Sequence, residues 1–340
     1  MKILITGMAG FIGMHLAKVL SAAGHEITGI DNLSSITYEA SLKLGRLQAL
    51  GFTGDPLSEP RLEHDNLTFM RLDLTDEDAI TKLIAEGGFA VVVNLAALAG
   101  VRLSTREPEA YFKSNADGFF NVLNAIRLVP QGRRPRLVFA SSSSVYGDCT
   151  KVPFSEDNTE IEQVSVYAAT KRINEIIART YASLYQLDAI GLRFFTVYGP
   201  WGRPDMAPFI FTRALLSGKE ITLFNQGKLR RDFTYVDDIV EGVRRIVEGR
   251  GNQGKAVPFA VYNIGCGTPI ELFDFVHELE SAVGIKGNLI LGAMQQGDVH
   301  QTYADVSKLQ RDYAFRPQVS LHEGIGRFWD WYKNYYQVKI

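Results

Sequence analysis

Residues 2–13 read KILITGMAGFIG: a short apolar run reaches three glycines and then opens onto a helical pattern. Gly7 permits a tight turn after the strand, and Gly10 lets the backbone approach a pyrophosphate without a Cβ in the way. Gly13 lets the helix lie close against the strand. Backbone N–H groups at the start of that helix then face the phosphates. The stretch predicts a strand–turn–helix unit that binds a dinucleotide.

Short apolar strands alternate with helical patterns through the first 195 residues. The predicted strands are residues 2–6, 25–30, 67–72, 90–95, 136–141 and 188–194. The predicted helices are residues 11–23, 39–50, 76–86 with Thr75 as cap, 107–128, about 165–186, 269–283, and 320–335 with a capping box at Ser320 and Glu323. Such alternation is typical of an α/β protein with a doubly wound parallel sheet.

The length of 340 residues exceeds what one hydrophobic core usually supports, so two lobes are expected. After residues 199–202 the elements become shorter, and glycine and proline more frequent. We expect a dinucleotide-binding lobe at 1–195 plus about 233–264, because the strand–helix stretch near 235–248 returns to it. A smaller mixed α/β lobe for the substrate would take about 196–232 plus 265–340. Residues 32–66 are interpreted as an insertion over the rim of the sheet.

Charge and composition exclude several classes of protein. The chain carries 36 Lys and Arg against 38 Asp and Glu, a net charge of −2, without the basic excess of a nucleic-acid binder. Its longest apolar stretch is too short for a membrane span, and no leader pattern precedes the first strand. Cys149 and Cys266 stand far apart, so neither a disulfide framework nor a metal site is expected. These features favour a cytoplasmic protein with no membrane or nucleic-acid partner.

An acid ends the second strand, at Asp31. A carboxylate there accepts hydrogen bonds from the ribose hydroxyls of adenosine and repels a 2′-phosphate. The predicted cofactor is therefore NAD rather than NADP.

A tyrosine and a lysine, Tyr167 and Lys171, lie four residues apart on one face of a predicted helix. Upstream, residues 141–147 read SSSSVYG at the carboxyl end of a strand, where ligands bind in open α/β sheets. A phenol with a pKa near 10 is a poor base at neutral pH, and lowering that pKa by roughly 3 units needs about 4 kcal/mol. We expect Lys171 to supply this effect, Tyr167 to act as base and a serine hydroxyl to bridge the phenol and the substrate oxygen.

The GxxGxxG spacing, with the tyrosine–lysine pair, resembles the extended branch of the short-chain dehydrogenase/reductase superfamily, which has a Rossmann-type fold. The resemblance implies that the bridging serine is Ser142. It also implies further cofactor contacts from Phe11, Ile12, Asn32, Asp73, Leu74, Leu95, Ala96, Ala97 and Asn115.

Five further segments are similar to UDP-glucuronate 4-epimerases, and the similarity runs from residue 1 to about 336. They are AGVR at 99–102, LRFFTVYGPWGRPDM at 192–206, RDFTYVDDI at 231–239, QGDV at 296–299 and TYAD at 302–305. The resemblance implies a UDP-sugar substrate, a role in polysaccharide biosynthesis, and a homodimer formed through the helices at 107–128 and 165–186.

The resemblance also assigns roles in substrate binding. Arg231 would clamp the diphosphate, and Thr196 would lie near the diphosphate-sugar. Arg203 and Arg102 are both candidates for binding the sugar carboxylate, since a planar guanidinium suits a carboxylate. The chain has Gln296 where galactose-type epimerases usually have an arginine that binds phosphate.

Epimerisation at C4 implies oxidation to a 4-keto sugar, rotation of that sugar and reduction on its opposite face. A ketone β to the C6 carboxylate favours loss of CO₂, so the carboxylate must be held out of alignment with the ketone. Our hypothesis is that the hydroxyls of Ser143, Ser144 and Thr196 hold it.

Four alternatives stay open at this point. The first is another NAD-dependent nucleotide-sugar epimerase. A 4,6-dehydratase or a decarboxylating synthase of the superfamily has acidic residues where this chain has Ser143 and Ser144. A non-catalytic NAD-binding protein would tend to lack the tyrosine or the lysine. A plain oxidoreductase would consume NAD, whereas an epimerase retains it.

Overall fold

A computed structural model describes residues 1–158, 161–252, 254–294 and 299–339. The strands are β1 (Lys2–Thr6), β2 (Glu26–Asp31), β3 (Arg61–His64), β4 (Leu67–Arg71), β5 (Val91–Asn94), β6 (Arg136–Ser142), β7 (Ala189–Phe194), β8 (Thr196–Tyr198), β9 (Glu220–Leu223), β10 (Arg230–Arg231), β11 (Phe233–Tyr235), β12 (Phe259–Ile264), β13 (Ile270–Glu271) and β14 (Asn288–Leu291). The helices are α1 (Phe11–Ala22), α2 (Ala40–Ala49), α3 (Glu77–Gly87), α4 (Val101–Arg106), α5 (Pro108–Phe112), α6 (Gly118–Leu128), α7 (Val166–Tyr185), α8 (Ala207–Ser217), α9 (Val236–Glu248), α10 (Leu272–Val283), α11 (Ser307–Tyr313) and α12 (Leu321–Tyr335).

Eight strands form the main sheet in the order β12-β7-β6-β5-β1-β2-β4-β3. Every neighbouring pair is parallel except β3 and β4, which pair antiparallel at one edge. The strand order reverses at β1, so the crossover helices cover both faces of the sheet. The doubly wound α/β fold is thereby confirmed. Neither edge strand was predicted from the sequence: β3 is four residues long and largely polar, whereas β12 is a mainly apolar strand of six residues that was passed over.

Both faces of the sheet are buried, which explains why its central strands are apolar throughout. On β1, Ile3 and Ile5 belong to the core that includes α1 and α9. Leu4 points to the opposite face and joins the core formed with α3 and α6. The dinucleotide turn therefore follows a strand that is fixed on two sides.

One predicted helix feature, the cap of α3, is wrong, and another needs refinement. The helix expected at 107–128 runs without a break from Pro108 to Leu128, with a π-helical segment at Lys113–Asp117 between α5 and α6. The cap of α3 is Asp76, whose Oδ1 accepts from Ala79 N at 3.1 Å, whereas the Thr75 hydroxyl donates to Asp73. An ionised carboxylate at this position also interacts favourably with the helix dipole, so Asp76 is the better cap.

Outside the main sheet, the described residues form three two-stranded sheets, β8 with β11, β9 with β14 and β10 with β13. Helices α8, α10 and α12 pack together beside them. Helix α9 packs on α1, and β12 pairs with β7 at the edge of the main sheet. These contacts agree with the expected return of residues 233–264 to the first lobe. The boundaries of the two lobes stay a prediction. Within the described ranges, no helix has the length and apolar character needed to cross a bilayer.

A buried ion pair fixes α7 against β7 beneath the carboxyl ends of the strands. Arg193 donates to both oxygens of Glu175 at 2.8 Å, and the two side chains are 3% and 2% exposed. Ser141 donates to the same carboxylate at 2.5 Å. Burial raises the pKa of Glu175, but the hydrogen bonds and charge of Arg193 outweigh it and keep that pKa low. The pair thus links α7 to both β6 and β7.

We expect Glu175→Gln to lower the free energy of unfolding by about 3–5 kcal/mol, because it leaves the Arg193 charge buried without its partner. Glu241→Gln is the matched control. Glu241 pairs with Arg244 and Arg245 near the surface, where such a loss costs about 1 kcal/mol or less. Urea unfolding measures both variants, and equal small losses would contradict the expectation.

Candidate functional site

One large cavity of about 1110 Å³ runs along the carboxyl ends of the parallel strands into the second lobe. This is the edge at which ligands bind in open α/β sheets. The predicted residues that line it are Gly7, Gly10, Phe11, Ile12, Gly13, Asp31, Asn32, Asp73, Leu74, Leu95, Ala96, Ala97, Arg102, Ser142, Ser143, Ser144, Tyr167, Lys171, Thr196, Arg203 and Arg231. The fold therefore brings together nearly every residue that the sequence indicated.

Asn115 is the exception, because it lies behind the cavity wall. Its amide group accepts from Leu98 N at 2.8 Å and donates to Leu98 O at 2.9 Å. It also donates to Thr170 on α7. The side chain thus fixes the loop after β5 against α7. Gln296 lies outside the described residues.

The turn between β1 and α1 depends on glycine at two positions. Gly7 has φ +74°, and a Cβ built there would lie 2.8 Å from Ala96 N. A Cβ at Gly13 would lie 2.1 Å from Gly7 O, so the helix could not approach the turn. Gly10 caps α1 without a side-chain hydrogen bond, which leaves backbone N–H groups of the first turn directed toward the cavity. This cradle fits the pyrophosphate of a dinucleotide.

Acidic side chains mark the adenosine end of the cavity. Asp31 accepts from Leu33 N at 2.8 Å and forms an ion pair of 3.0 Å with Lys43. Burial raises the pKa of Asp73, but hydrogen bonds from Asn32 and Thr75 outweigh it and hold that pKa below its ordinary value. The Asp73 carboxylate is thus an ionised acceptor at neutral pH. Lys43 has no motif around it in the sequence, because it comes from the inserted helix α2.

The tyrosine, lysine and serine lie together where β6 meets α7. Ser165 caps α7 by accepting from Ala168 N at 3.1 Å, which places Tyr167 in the first turn. Lys171 Nζ donates to Ala140 O at 3.0 Å and lies 5.9 Å from the centre of the Tyr167 ring. The Ser142 hydroxyl oxygen accepts from Ser144 Oγ at 2.9 Å.

The electrostatics of this group add a member that was not expected. Burial raises the pKa of Tyr167, while a hydrogen bond with Ser142 and the charge of Arg203 lower it. The Lys171 ammonium lies over the Tyr167 ring and donates to the Ala140 carbonyl, and burial lowers the pKa of Lys171 to about 8, so its effect on the phenol stays a prediction. Arg203 is therefore an influence on the phenol that sequence reasoning missed.

The three candidate arginines differ in their surroundings. Arg203 donates to Ala99 O at 3.0 Å and pairs with Asp205, and its side chain is 19% exposed. Arg102 lies over the ring of Phe224, 5.6 Å from its centre. Arg231 donates to Arg230 O and His300 O at the far end of the cavity. Of these, Arg203 is the one that acts electrostatically on Tyr167.

Comparison with known proteins identifies relatives over the whole chain. The model of the NAD dependent epimerase/dehydratase family matches residues 3–265. UDP-glucuronate 4-epimerase 2 of Arabidopsis thaliana is 41% identical over 348 residues, which cover 99% of this chain and 76% of that protein. Protein CapI of Staphylococcus aureus is 44% identical over 349 residues, covering 99% of this chain and 100% of that protein.

Among solved structures, UDP-glucuronic acid 4-epimerase from Bacillus cereus, in complex with UDP-glucuronic acid and NAD, superposes with a TM-score of 0.87. It is 32% identical, and the match covers 99% of this chain and 100% of that one. Fold, dinucleotide cradle and matched family model agree with each other. The chain belongs to the NAD-dependent epimerase/dehydratase family.

Proposed function

We propose that this enzyme interconverts UDP-glucuronate and UDP-galacturonate by inverting C4, with NAD held throughout the reaction. One observation carries the proposal: a single cavity joins the dinucleotide cradle, the phenol of Tyr167 and the guanidinium of Arg203. Relatives bearing the name UDP-glucuronate 4-epimerase, and the Bacillus cereus enzyme with its bound ligands, support it. Arg231, at the far end of the same cavity, is the proposed clamp for the diphosphate.

Tyr167 is the proposed base for the C4 hydroxyl, directly or through Ser142. When bound, NAD supplies reversible hydride exchange with C4, and its positive nicotinamide favours the phenolate. Ser142 stabilises the developing phenolate through its hydrogen bond, and the positive charge of Arg203 acts in the same direction. Lys171, held by Ala140 O, supplies a cationic donor beside the bound cofactor. Once the 4-keto sugar has rotated and is reduced on its opposite face, the same phenol returns the proton to the C4 oxygen.

Arg203 is the better of the two carboxylate candidates. The C6 carboxylate is two bonds from C4, so its partner must lie near the base that acts on C4. Arg203 meets that condition through its charge interaction with Tyr167, whereas Arg102 lies over Phe224 of the second lobe. The hydrogen bonds of Arg203 within the described chain use Nε and Nη2, and Nη1 makes none there.

We expect Tyr167→Phe to lower turnover of UDP-glucuronate by about 10²–10⁴-fold, because the proton acceptor is lost. The control, Tyr185→Phe, alters a partly exposed tyrosine at the other end of α7 and should retain activity. Wild-type turnover should rise with pH, since burial raises the pKa of the phenol that must ionise. An NMR time course of both UDP-uronates measures these effects. Unchanged turnover in Tyr167→Phe would refute the assignment.

Ser143, Ser144 and Thr196 line the same cavity as Tyr167, which supports the proposed carboxylate restraint. Ser143 and Ser144 begin a short 3-10 turn directly after Ser142. Thr196 begins β8, where its backbone N–H donates to Asp232 O at 3.2 Å. Three short side chains on fixed backbone can hold a carboxylate in one orientation without supplying an acid to the reaction.

Thr196→Ala should therefore increase the share of decarboxylated UDP-pentose product severalfold, roughly the effect of losing one hydrogen bond of about 1 kcal/mol. Thr196→Ser retains the hydroxyl and is the matched control. The same NMR spectra resolve the uronate, keto and pentose signals. No increase of the pentose in the alanine variant would remove Thr196 from the restraint.

We also propose a homodimer. Exposed apolar side chains form a stripe along α6 and α7, with Phe120 41%, Ile176 53% and Leu184 66% exposed. The two helices contact each other, so the stripes are adjacent and can pack against the same pair of helices in a second copy. Cys149 and Cys266 are both free thiols, which agrees with the reducing cytoplasm that we propose as its location.

Ile176→Asp should convert the dimer to a monomer in sedimentation velocity experiments, because two carboxylates would be buried at the twofold interface. Val19→Asp is the control, since Val19 is an exposed apolar residue on α1, away from the stripe. A wild-type monomer, or an Ile176→Asp dimer of unchanged stability, would contradict the proposed interface.

A further inference from the structure

The inserted helix α2 buries an arginine that the reaction described above does not use. Arg46 has 0% exposure. Its five hydrogen bonds go to carbonyl oxygens and one phenol: Nη1 to Ala9 O at 3.0 Å and Tyr38 Oη at 2.6 Å, Nε to Trp201 O at 3.0 Å, and Nη2 to Trp201 O at 2.7 Å and Gly202 O at 3.2 Å. Burying a guanidinium is costly, and these acceptors are what makes it tolerable.

The acceptors of Arg46 belong to separate segments whose neighbouring residues, among them Gly10 and Arg203, line the cavity. Ala9 is inside the turn that cradles the dinucleotide, between Gly7 and Gly10. Trp201 and Gly202 directly precede Arg203 in the loop that enters the second lobe. One rigid, planar group therefore joins the cofactor turn to the loop that carries the proposed carboxylate ligand.

That loop is held in a conformation that needs support. Trp201 has φ +61°, a region that bulky side chains rarely adopt. Its ring packs on Trp331 and Tyr335 of α12, with centroids 5.2 Å and 4.8 Å away. His15 of α1 adds a hydrogen bond of 2.9 Å between its Nε2 and Pro200 O. The loop is thus fixed from the first lobe through its own carbonyl groups.

We infer that Arg46 is a positioning residue that couples the dinucleotide turn to the placement of Arg203, and so to selection of a UDP-uronate over a neutral UDP-sugar. The inference rests on the proposed function for the identity of the substrate. A displaced Ala9 carbonyl would alter the turn that cradles the dinucleotide. Displaced carbonyls of Trp201 and Gly202 would move Arg203, which follows them in the chain. A lysine retains the charge of Arg46 but presents one nitrogen, which cannot donate to the Ala9 carbonyl and to the carbonyls of Trp201 and Gly202 at the same time.

The test uses the NAD-containing enzyme with Arg46→Met and Arg46→Lys. Arg61→Ala, which removes an exposed arginine of the same insertion, is the control. Bound NAD per chain is measured by absorbance after purification. Calorimetry with saturating NAD then gives Kd for UDP-glucuronate and for UDP-glucose. We expect Arg46→Met to retain less NAD and to weaken UDP-glucuronate binding about tenfold more than UDP-glucose binding, the scale of one charge-assisted hydrogen bond.

Two further measurements separate coupling from a general loss of structure. In an Arg203→Met background, Arg46→Met should cause no additional loss of selectivity, because the group it positions is absent. Arg46→Lys should show the same loss as Arg46→Met while its unfolding midpoint stays close to wild type. If Arg46→Met does not fold, the lysine variant carries the test. Equal weakening for both UDP-sugars, or additive effects in the double variant, would overturn the inference.

Failure of the proposed function gives a different result. In that case the wild-type enzyme itself shows no preference for UDP-glucuronate and no epimerisation. The link between the turn and the loop is then judged from the wild-type protein by hydrogen exchange. NAD binding should slow exchange in residues 199–206, and no change there together with normal NAD retention in Arg46→Lys would overturn the link.

Discussion

A phenol that is enclosed by protein resists losing its proton, and this constraint on Tyr167 organises the rest of the site. Burial alone would make the side chain useless as a base near neutral pH. Two groups lower the pKa of the phenol and so favour the phenolate. They are the hydroxyl of Ser142, at the end of β6, and the guanidinium of Arg203, from the other lobe. The positive ring of the cofactor would complete them. Because these groups come from separate segments, the base is effective only when both lobes are in place.

Arg46 and His15 hold the loop at 200–202 through its backbone carbonyls rather than through paired side-chain charges. A carbonyl group is part of the backbone. Hydrogen bonds from Arg46 and His15 to carbonyls therefore fix the backbone of the loop at 200–202, whereas a bond to a side chain would fix only its rotamer. Such contacts are insensitive to substitution of the loop side chains. They depend on the insertion that carries α2, which looks peripheral when the chain is viewed as a linear sequence.

Much of the fold and site was predictable from sequence for a geometric reason. Motifs at the carboxyl ends of parallel strands must meet at one edge of the sheet, so Gly7, Asp31 and Ser142 could be placed together without coordinates. Contacts between segments that share no sequence pattern could not be predicted in this way. Lys43 beside Asp31 and Arg203 beside Tyr167 depend on where an insertion and a loop settle. The π-helical segment at Lys113–Asp117 was not predicted for the same reason. The Asn115 amide within it bonds to Leu98, a contact between two segments without a common sequence pattern.

Arg203 already has a carboxylate partner in Asp205, and this affects how the site is vacated. A buried cation whose only counter-ion was the sugar would hold the product strongly, because departure would leave the charge unpaired. With Asp205 in place, the guanidinium is neutralised before the sugar arrives and again after it leaves. If Arg203 binds the uronate as proposed, Asp205 lets it select the carboxylate without holding the product tightly, which suits a reaction whose two sugars differ only in the orientation of one hydroxyl.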